Sequence, residues 1–384
     1  MKKCNSKDYD VLIDFIRNIY GFDKYIPLHE PSFDGNELKY IKDCIDSTYV
    51  SSVGKYVDKF ESLFADYVGS KYAIATVNGT AALHVALRLV GIDNNSDVIT
   101  QPLSFVATSN AIRYCGAQPI YVDVSRNTLG MCPDSLYSYL KTKTFFQDGF
   151  TYSKLSNRRI GAVLPMHTFG HPCAVDELLE ICDKFNLPLI EDSAESIGSL
   201  YKSKHTGTFG KFGTFSFNGN KTITTGGGGM IITNNYDLAK KAKHITTTSK
   251  VKDPYRFIHD EVGYNYRLPN INSALGCAQI ENLQKKIRKK RALAKSYKNI
   301  LSTTNFSFFN EPKKAKSNFW LNTLILSSKN ERDSFLKITN EKGIMTRPAW
   351  TLNNKLEMFK ECECHNLDNS NWLEDRLVNI PSSV

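Results

Sequence analysis

The chain has 384 residues, 41% hydrophobic and 23% charged, with a formal net charge of +10 and nine cysteines. That length can bury a large core and is enough for two domains, while an odd number of cysteines without metal-ligand spacing argues against a disulfide framework and fits a reducing, cytoplasmic setting. No apolar run approaches a membrane span, and no membrane partner is expected.

In chain order, MKKCNSKDYDVLIDFIRNIY carries lysines but no clean apolar stretch, because Asp10 and Asp14 interrupt it. It predicts an extra amphipathic helix within an N-terminal extension, 1–25, rather than a signal peptide. YAIATV, from Tyr72, alternates as a strand does. Asn78-Gly79-Thr80 then opens a helix whose apolar stripe is Ala82, Leu83, Ala86, Leu87 and Val90. The free amides at that helix start and the Thr80 hydroxyl make an anion site, with a plain N-cap as the alternative. Neither a Walker loop nor a GxGxxG fingerprint is present, so a nucleoside triphosphate or NAD has no motif support.

FTYSKLSNRR, 150–159, reads as a polar loop. AVDELLEICDKF predicts a helix through Val175, Leu178, Leu179, Cys182 and Phe185, ended by Asn186 and Pro188. LPLIED then predicts a short buried strand with Asp192 at its C-terminal end. In a parallel sheet that edge is where ligands bind, and a carboxylate there can pair with a protonated pyridine nitrogen; a helix-capping Asp is the competing reading.

Residues 213–229, GTFSFNGNKTITTGGGG, hold one lysine between an aromatic strand and four glycines. Phe215 and Phe217 share one strand face, Ser216 takes the other, and Asn218-Gly219-Asn220 ends the strand and presents Lys221. Gly226 to Gly229 fit a sharp bend or a backbone skirting a cofactor. A lysine held on constrained backbone suits Schiff-base chemistry, whereas the competing reading is a solvated lysine on a surface loop.

Strand and helix patterns alternate from about 70 to 235, which predicts an α/β domain over 26–255 with a mostly parallel sheet and helices on both faces. From 256 to 384 the pattern becomes a smaller α+β domain. It comprises the basic helix ENLQKKIRKKRALAKSYKNIL, strands near Phe319 to Leu326, the helix ERDSFLKITNEKG and a terminal helix before PSSV. The basic stripe suggests either nucleic acid or a solvated helix face. No nucleic-acid module accompanies it, so the solvated face is preferred and no nucleic-acid partner is expected. Cys362, Cys364 and His365 lack a second ligand pair, and no metal is expected.

In order, NGTAAL, QPLSFVATSNAI, EDSAES, SFNGNKTITTGGGG and VGYNYRLPNINSALG make the chain resemble the DegT/DnrJ/EryC1/StrS nucleotide-sugar aminotransferases from about Ile26 to the C-terminus. The resemblance implies pyridoxal 5'-phosphate on the fold-type I, aspartate aminotransferase-like scaffold. It is strongest, through the N-terminal extension and TRPAWTLNN, with enzymes that aminate 4-keto sugar nucleotides on the route to legionaminic-acid-type sugars.

Carried residue by residue, the resemblance implies that Lys221 holds the cofactor as a Schiff base and moves a proton, and that Asp192 pairs with the pyridine nitrogen. Phe105 lies on the ring face, and Gly79, Thr80, Ala81 and Ser216 bind the phosphate. Asn265 reaches the phosphate in a neighbouring subunit of a homodimer. Arg267, Arg347 and Trp350 become candidates for the substrates, L-glutamate and a UDP- or GDP-linked 4-keto-6-deoxy sugar, 2-acetamido-substituted. Two departures stand out: Glu195 replaces the common Gln or His near the cofactor's phenolic oxygen, and a fourth glycine replaces the glutamate of Gly-Glu-Gly-Gly. A carboxylate facing a phenolate must be protonated or turned away. Two rivals remain. A sugar dehydratase on this scaffold has His where Lys221 stands, and a non-catalytic, DNA-binding regulator predicts salt-sensitive retention on DNA.

Overall fold

A computed structural model describes residues 3–22 and 24–384. Of the expected N-terminal extension, Met1, Lys2 and Asp23 lie outside the described residues.

The central sheet is built from β1 (Tyr72–Thr76), β2 (Ser96–Thr100), β3 (Gln118–Val122), β4 (Thr144–Gln147), β5 (Phe150–Ser153), β6 (Arg159–Leu164), β7 (Ile190–Asp192), β8 (Phe212–Ser216) and β9 (Gly229–Thr233). β3, β2 and β6 run parallel, bridges Val163 to Leu189 and Met166 to Asp192 continue to β7, and β7 pairs parallel with β8. β9 then pairs antiparallel with both β8 and β1. β1, β2, β3, β6, β7 and β8 therefore share one direction and end at one edge.

Successive residues of these strands point to opposite faces. Ile74, Val98, Leu164, Phe212 and Ile231 pack under the helices Gly79–Leu89, Val106–Tyr114 and Tyr236–Thr246. On the other face, Ile99, Val163 and Leu189 meet the helices Pro133–Lys143 and Val175–Lys184. There Met230, Ile232 and Phe215 meet the helices Lys55–Val68 and Asn270–Glu281. Helices cover both faces, as the alternation of strand and helix predicts.

The C-terminal part carries an antiparallel sheet of Ser307–Phe308, Asn322–Ile325, Leu377–Ile380 and Arg347–Pro348. The helices Leu283–Leu301 and Lys329–Glu341 pack on it. The N-terminal helix Ser6–Tyr20 buries Leu12, Ile13 and Ile16 in the same cluster, against Leu293, Tyr297 and Phe335. The chain also returns to the first sheet, since Cys364–His365 extends it beside β3.

Three expectations need correction. Residues 150–159 are not a polar loop: Phe150–Ser153 pairs with Thr144–Gln147 as a hairpin, and Phe145 stacks on Tyr152 at 5.5 Å. The signal was Asp148-Gly149, both at positive φ (50° and 83°), the two-residue turn that alternating aromatics on each side call for. The terminal helix, Asp368–Glu374, does not lead directly into PSSV, because the strand Leu377–Ile380 intervenes. The basic helix is not simply a solvated face either. Lys286 and Lys290 are buried on its inner side, where their amines bond backbone carbonyls.

Candidate active site

The strands' shared C-terminal edge opens into a cavity of about 350 Å³ lined by Asn78, Gly79, Thr80, Phe105, Asp192, Glu195, Ser216, Lys221, Trp320 and Trp350, among others. Each end is set by local chain geometry. Asn78 caps the helix Gly79–Leu89: its side-chain oxygen accepts the Ala81 N–H at 2.8 Å and its carbonyl accepts that of Ala82 at 3.2 Å. This leaves Gly79 and Thr80, the first two helical residues, with amides that have no acceptor within the helix. Ser216, at the end of β8, stands beside them. Ala81 does not line the cavity, and its amide is taken by Asn78.

Lys221 sits on a loop closed at its base by Phe217 N–H to Gly228 O (2.8 Å) and Thr225 N–H to Phe217 O (3.0 Å). A side chain at Gly229 would come within 2.4 Å of the Asn78 backbone, so the glycine run lets this loop lie against the helix start. The Lys221 side chain is 12% exposed. Its Nζ donates to Glu195 Oε1 at 3.1 Å and lies 4.0 Å from the centre of the Trp320 ring.

Asp192 is buried and lines the same cavity. Thr108 Oγ1 donates to its Oδ2 at 2.7 Å and the Ala194 N–H to its Oδ1 at 3.1 Å. Burial pushes its carboxyl above the usual range, against those two hydrogen bonds. A cation placed at the carboxylate would favour its ionised form. Glu195 is fully buried, and among the described residues it accepts, besides Lys221, only the Phe169 N–H, at 2.9 Å. Burial pushes it up to about 7, with Lys221 pulling the other way. Its carboxyl faces the lysine.

Phe105 is 49% exposed at the rim, and Trp350 packs between it (6.2 Å between ring centres) and Phe169 (4.9 Å). Three predicted residues are not brought to the cavity. Asn265 is exposed and accepts a hydrogen bond from Arg267 Nε at 2.9 Å, Arg267 pairs its backbone with Thr76, and Arg347 is exposed on its short strand. Sequence reasoning in turn missed Thr108, Met166 and Trp320. Thr108 could have been found, being one helical turn beyond Phe105. Trp320 has no local signal, since it arrives from a hundred residues downstream of Lys221.

The cavity thus brings together free helix amides with two hydroxyls, a buried carboxylate, a lysine amine and an aromatic ring at its rim. Those groups fit the phosphate, ring nitrogen, aldehyde and ring face of pyridoxal phosphate.

Known proteins agree. The sequence model of the DegT/DnrJ/EryC1/StrS aminotransferase family matches residues 31–384. GDP-perosamine synthase of Escherichia coli O157:H7 is 37% identical over 361 residues, covering 94% of this chain and 93% of its own. A protein of Bacillus subtilis (strain 168) named as a pyridoxal phosphate-dependent aminotransferase, EpsN, is 37% identical over 329 residues, covering 85% and 82%. Among solved structures, the Helicobacter pylori aminotransferase PseC superposes with a TM-score of 0.84 at 24% identity, covering 93% and 94% of the two chains, a likeness of fold. None of these names specifies a legionaminic route. With its family match running through the C-terminus and its cavity suited to the cofactor, the chain belongs to the DegT/DnrJ/EryC1/StrS aminotransferase family and is a pyridoxal phosphate-dependent aminotransferase of fold type I.

Proposed function

We propose that the protein moves the amino group of L-glutamate to C4 of a 4-keto-6-deoxy, 2-acetamido sugar nucleotide, in the supply of amino sugars for a surface glycan such as a legionaminic-type sugar, in the cytoplasm. The observation that carries this reading is Lys221 and Asp192 facing one cavity beside a free helix N-terminus. Bound pyridoxal phosphate supplies the electron sink that lets a C–H bond break. Asp192 keeps the ring nitrogen protonated. Lys221 Nζ would hold the cofactor covalently and, as a free amine, would take up and return a proton. The Gly79 and Thr80 amides, with the Thr80 and Ser216 hydroxyls, would hold the phosphate, and Phe105 would lie against the cofactor ring. Glu195, with a pKa near 7, donates to or accepts from an oxygen beside Lys221 according to its protonation.

The working unit in this reading is a homodimer, with Asn265 and Arg267 serving the neighbouring subunit's site and Arg347 and Trp350 serving the substrates. The arm around 250–262 supports it: Tyr255, Phe257 and Val262 stand 92%, 84% and 83% exposed in the single chain. The relatives named GDP-perosamine synthase favour a GDP-linked sugar over a UDP-linked one as a second reading.

A panel of UDP- and GDP-linked 4-keto sugars, incubated with holoenzyme and glutamate and analysed by mass spectrometry, tests this. Amination of one of them with stoichiometric 2-oxoglutarate is expected; no amination of any would sink the proposal. Lys221→Ala should abolish turnover and borohydride labelling together.

A further inference from the structure

Lys290 is 1% exposed, in the middle of the helix Leu283–Leu301, and among the described residues no carboxylate bonds its amine. Its Nζ donates instead to two backbone carbonyls, Ser382 O at 2.8 Å and Trp320 O at 3.1 Å. Ser382 belongs to the C-terminal tail, where its N–H bonds Leu28 O (2.8 Å) and its hydroxyl accepts the Asn322 N–H (2.8 Å). Trp320 belongs to the cavity. Its indole N–H donates to Asn220 O at 2.7 Å, its own amide bonds Asn318 Oδ1 at 2.8 Å, and its ring covers the Lys221 amine. The buried amine therefore joins the basic helix, both ends of the chain and the tryptophan wall of the site.

Burying an unpaired ammonium is costly, and methionine or leucine would fill the same space without that penalty. Burial, reinforced by Lys286, pulls the Lys290 amine down to about 7, so two fixed acceptors are what hold it in place. What the amine adds over an apolar side chain is a direct bond to the residue that carries the indole.

We infer that Lys290 is a positioning residue for the amino transfer: by fixing the Trp320 carbonyl it holds the indole against the ε-amine of Lys221, limiting the arc through which that amine moves. The inference rests on Lys221 as the attachment lysine. An indole face attracts an ammonium and excludes water from one side of it, which keeps a released lysine beside the reacting carbon instead of in solvent.

The test is a double-mutant cycle on holoenzyme, with rates of the glutamate half-reaction normalised to cofactor-loaded sites. Lys290→Met should lower kcat about tenfold with the glutamate KM within about twofold, Trp320→Phe should do the same, and the double variant should lose no more than the worse single one. Lys290→Gln, which keeps an N–H donor, should recover part of the rate, and Lys290→Leu serves in place of the Met variant if that one does not fold. An unchanged kcat per loaded site, even with a lowered Tm, or additive losses in the double variant, would reduce Lys290 to a support of the fold. Turnover surviving in Lys221→Ala would instead remove the assignment beneath the inference, so the two failures are distinguishable.

Discussion

Glu191 and Glu195 lie four residues apart, both fully buried, and they do opposite things. Glu191 is saturated: His167 Nε2 at 3.0 Å and the amides of Gly207 (2.7 Å), Phe209 (2.7 Å) and Gly210 (2.8 Å) all meet its oxygens. Burial alone would raise its carboxyl, but His167 and these amides outweigh burial and hold it below the usual range. Among the described residues Glu195 has Lys221 and one amide as donors, and burial wins. Thus the number of donors, rather than depth, separates a clamp that ties the 207–210 turn to β7 from a group free to change charge beside the lysine. Asp192, with two donors, is likewise raised by burial.

The largest effect expected from breaking this contrast is at the clamp. Glu191→Gln should destabilise the protein by about 3–5 kcal/mol, because it leaves His167 and at least one buried amide without an ionised partner. Chemical denaturation should show that loss, while kcat per folded, loaded site stays close to wild type; a selective loss of kcat would make Glu191 part of the chemistry.

The next effect is a difference in pH dependence. Glu191, lowered in the folded state, contributes stability that is present above its unfolded value and lost as pH falls through the folded one. Glu195 has the other sign: its folded value of about 7 exceeds the ordinary 4.5 of a glutamate, so its unfavourable contribution is absent below 4.5 and complete above 7. Apoprotein stability should therefore rise, relative to wild type, in Glu195→Gln as pH increases across that window. Thermal unfolding between pH 4.5 and 8 checks this, and parallel curves would show that Glu195 does not titrate there. The same variant should keep kcat within about tenfold while losing an inflection near neutrality.

The smallest effect belongs to Asp192. Thr108→Val removes one of its two donors, and should weaken cofactor binding by about 1 kcal/mol, or roughly five- to tenfold, measured by titrating apoenzyme with pyridoxal phosphate. Affinity equal to wild type would show that the Ala194 amide alone orients the carboxylate.

Much of the site was legible because its parts are local. A strand end followed by Asn78-Gly79-Thr80, an acid closing a short buried strand, and a lysine between turn residues and glycines each form within a few residues, and a parallel sheet gathers such strand ends at one edge. The hairpin at 144–153 was legible too, through Asp148-Gly149, but the polar residues after it hid the alternation of Phe145, Phe150 and Tyr152. Lys290 was illegible: in sequence it is one of a run of cations on a helix. Only packing decides which of those cations faces inward.

The sequence by itself determined the family and set Lys221, Asp192 and the helix start Gly79-Thr80 at the ends of local elements, because backbone turns, periodicity and side-chain type act over short distances. Tertiary structure alone decided that Trp320 covers the lysine, that Lys290 is buried behind it, and that Glu191 is saturated while Glu195 is not. Those outcomes depend on which distant amides and rings reach a buried atom, and no local pattern carries that count.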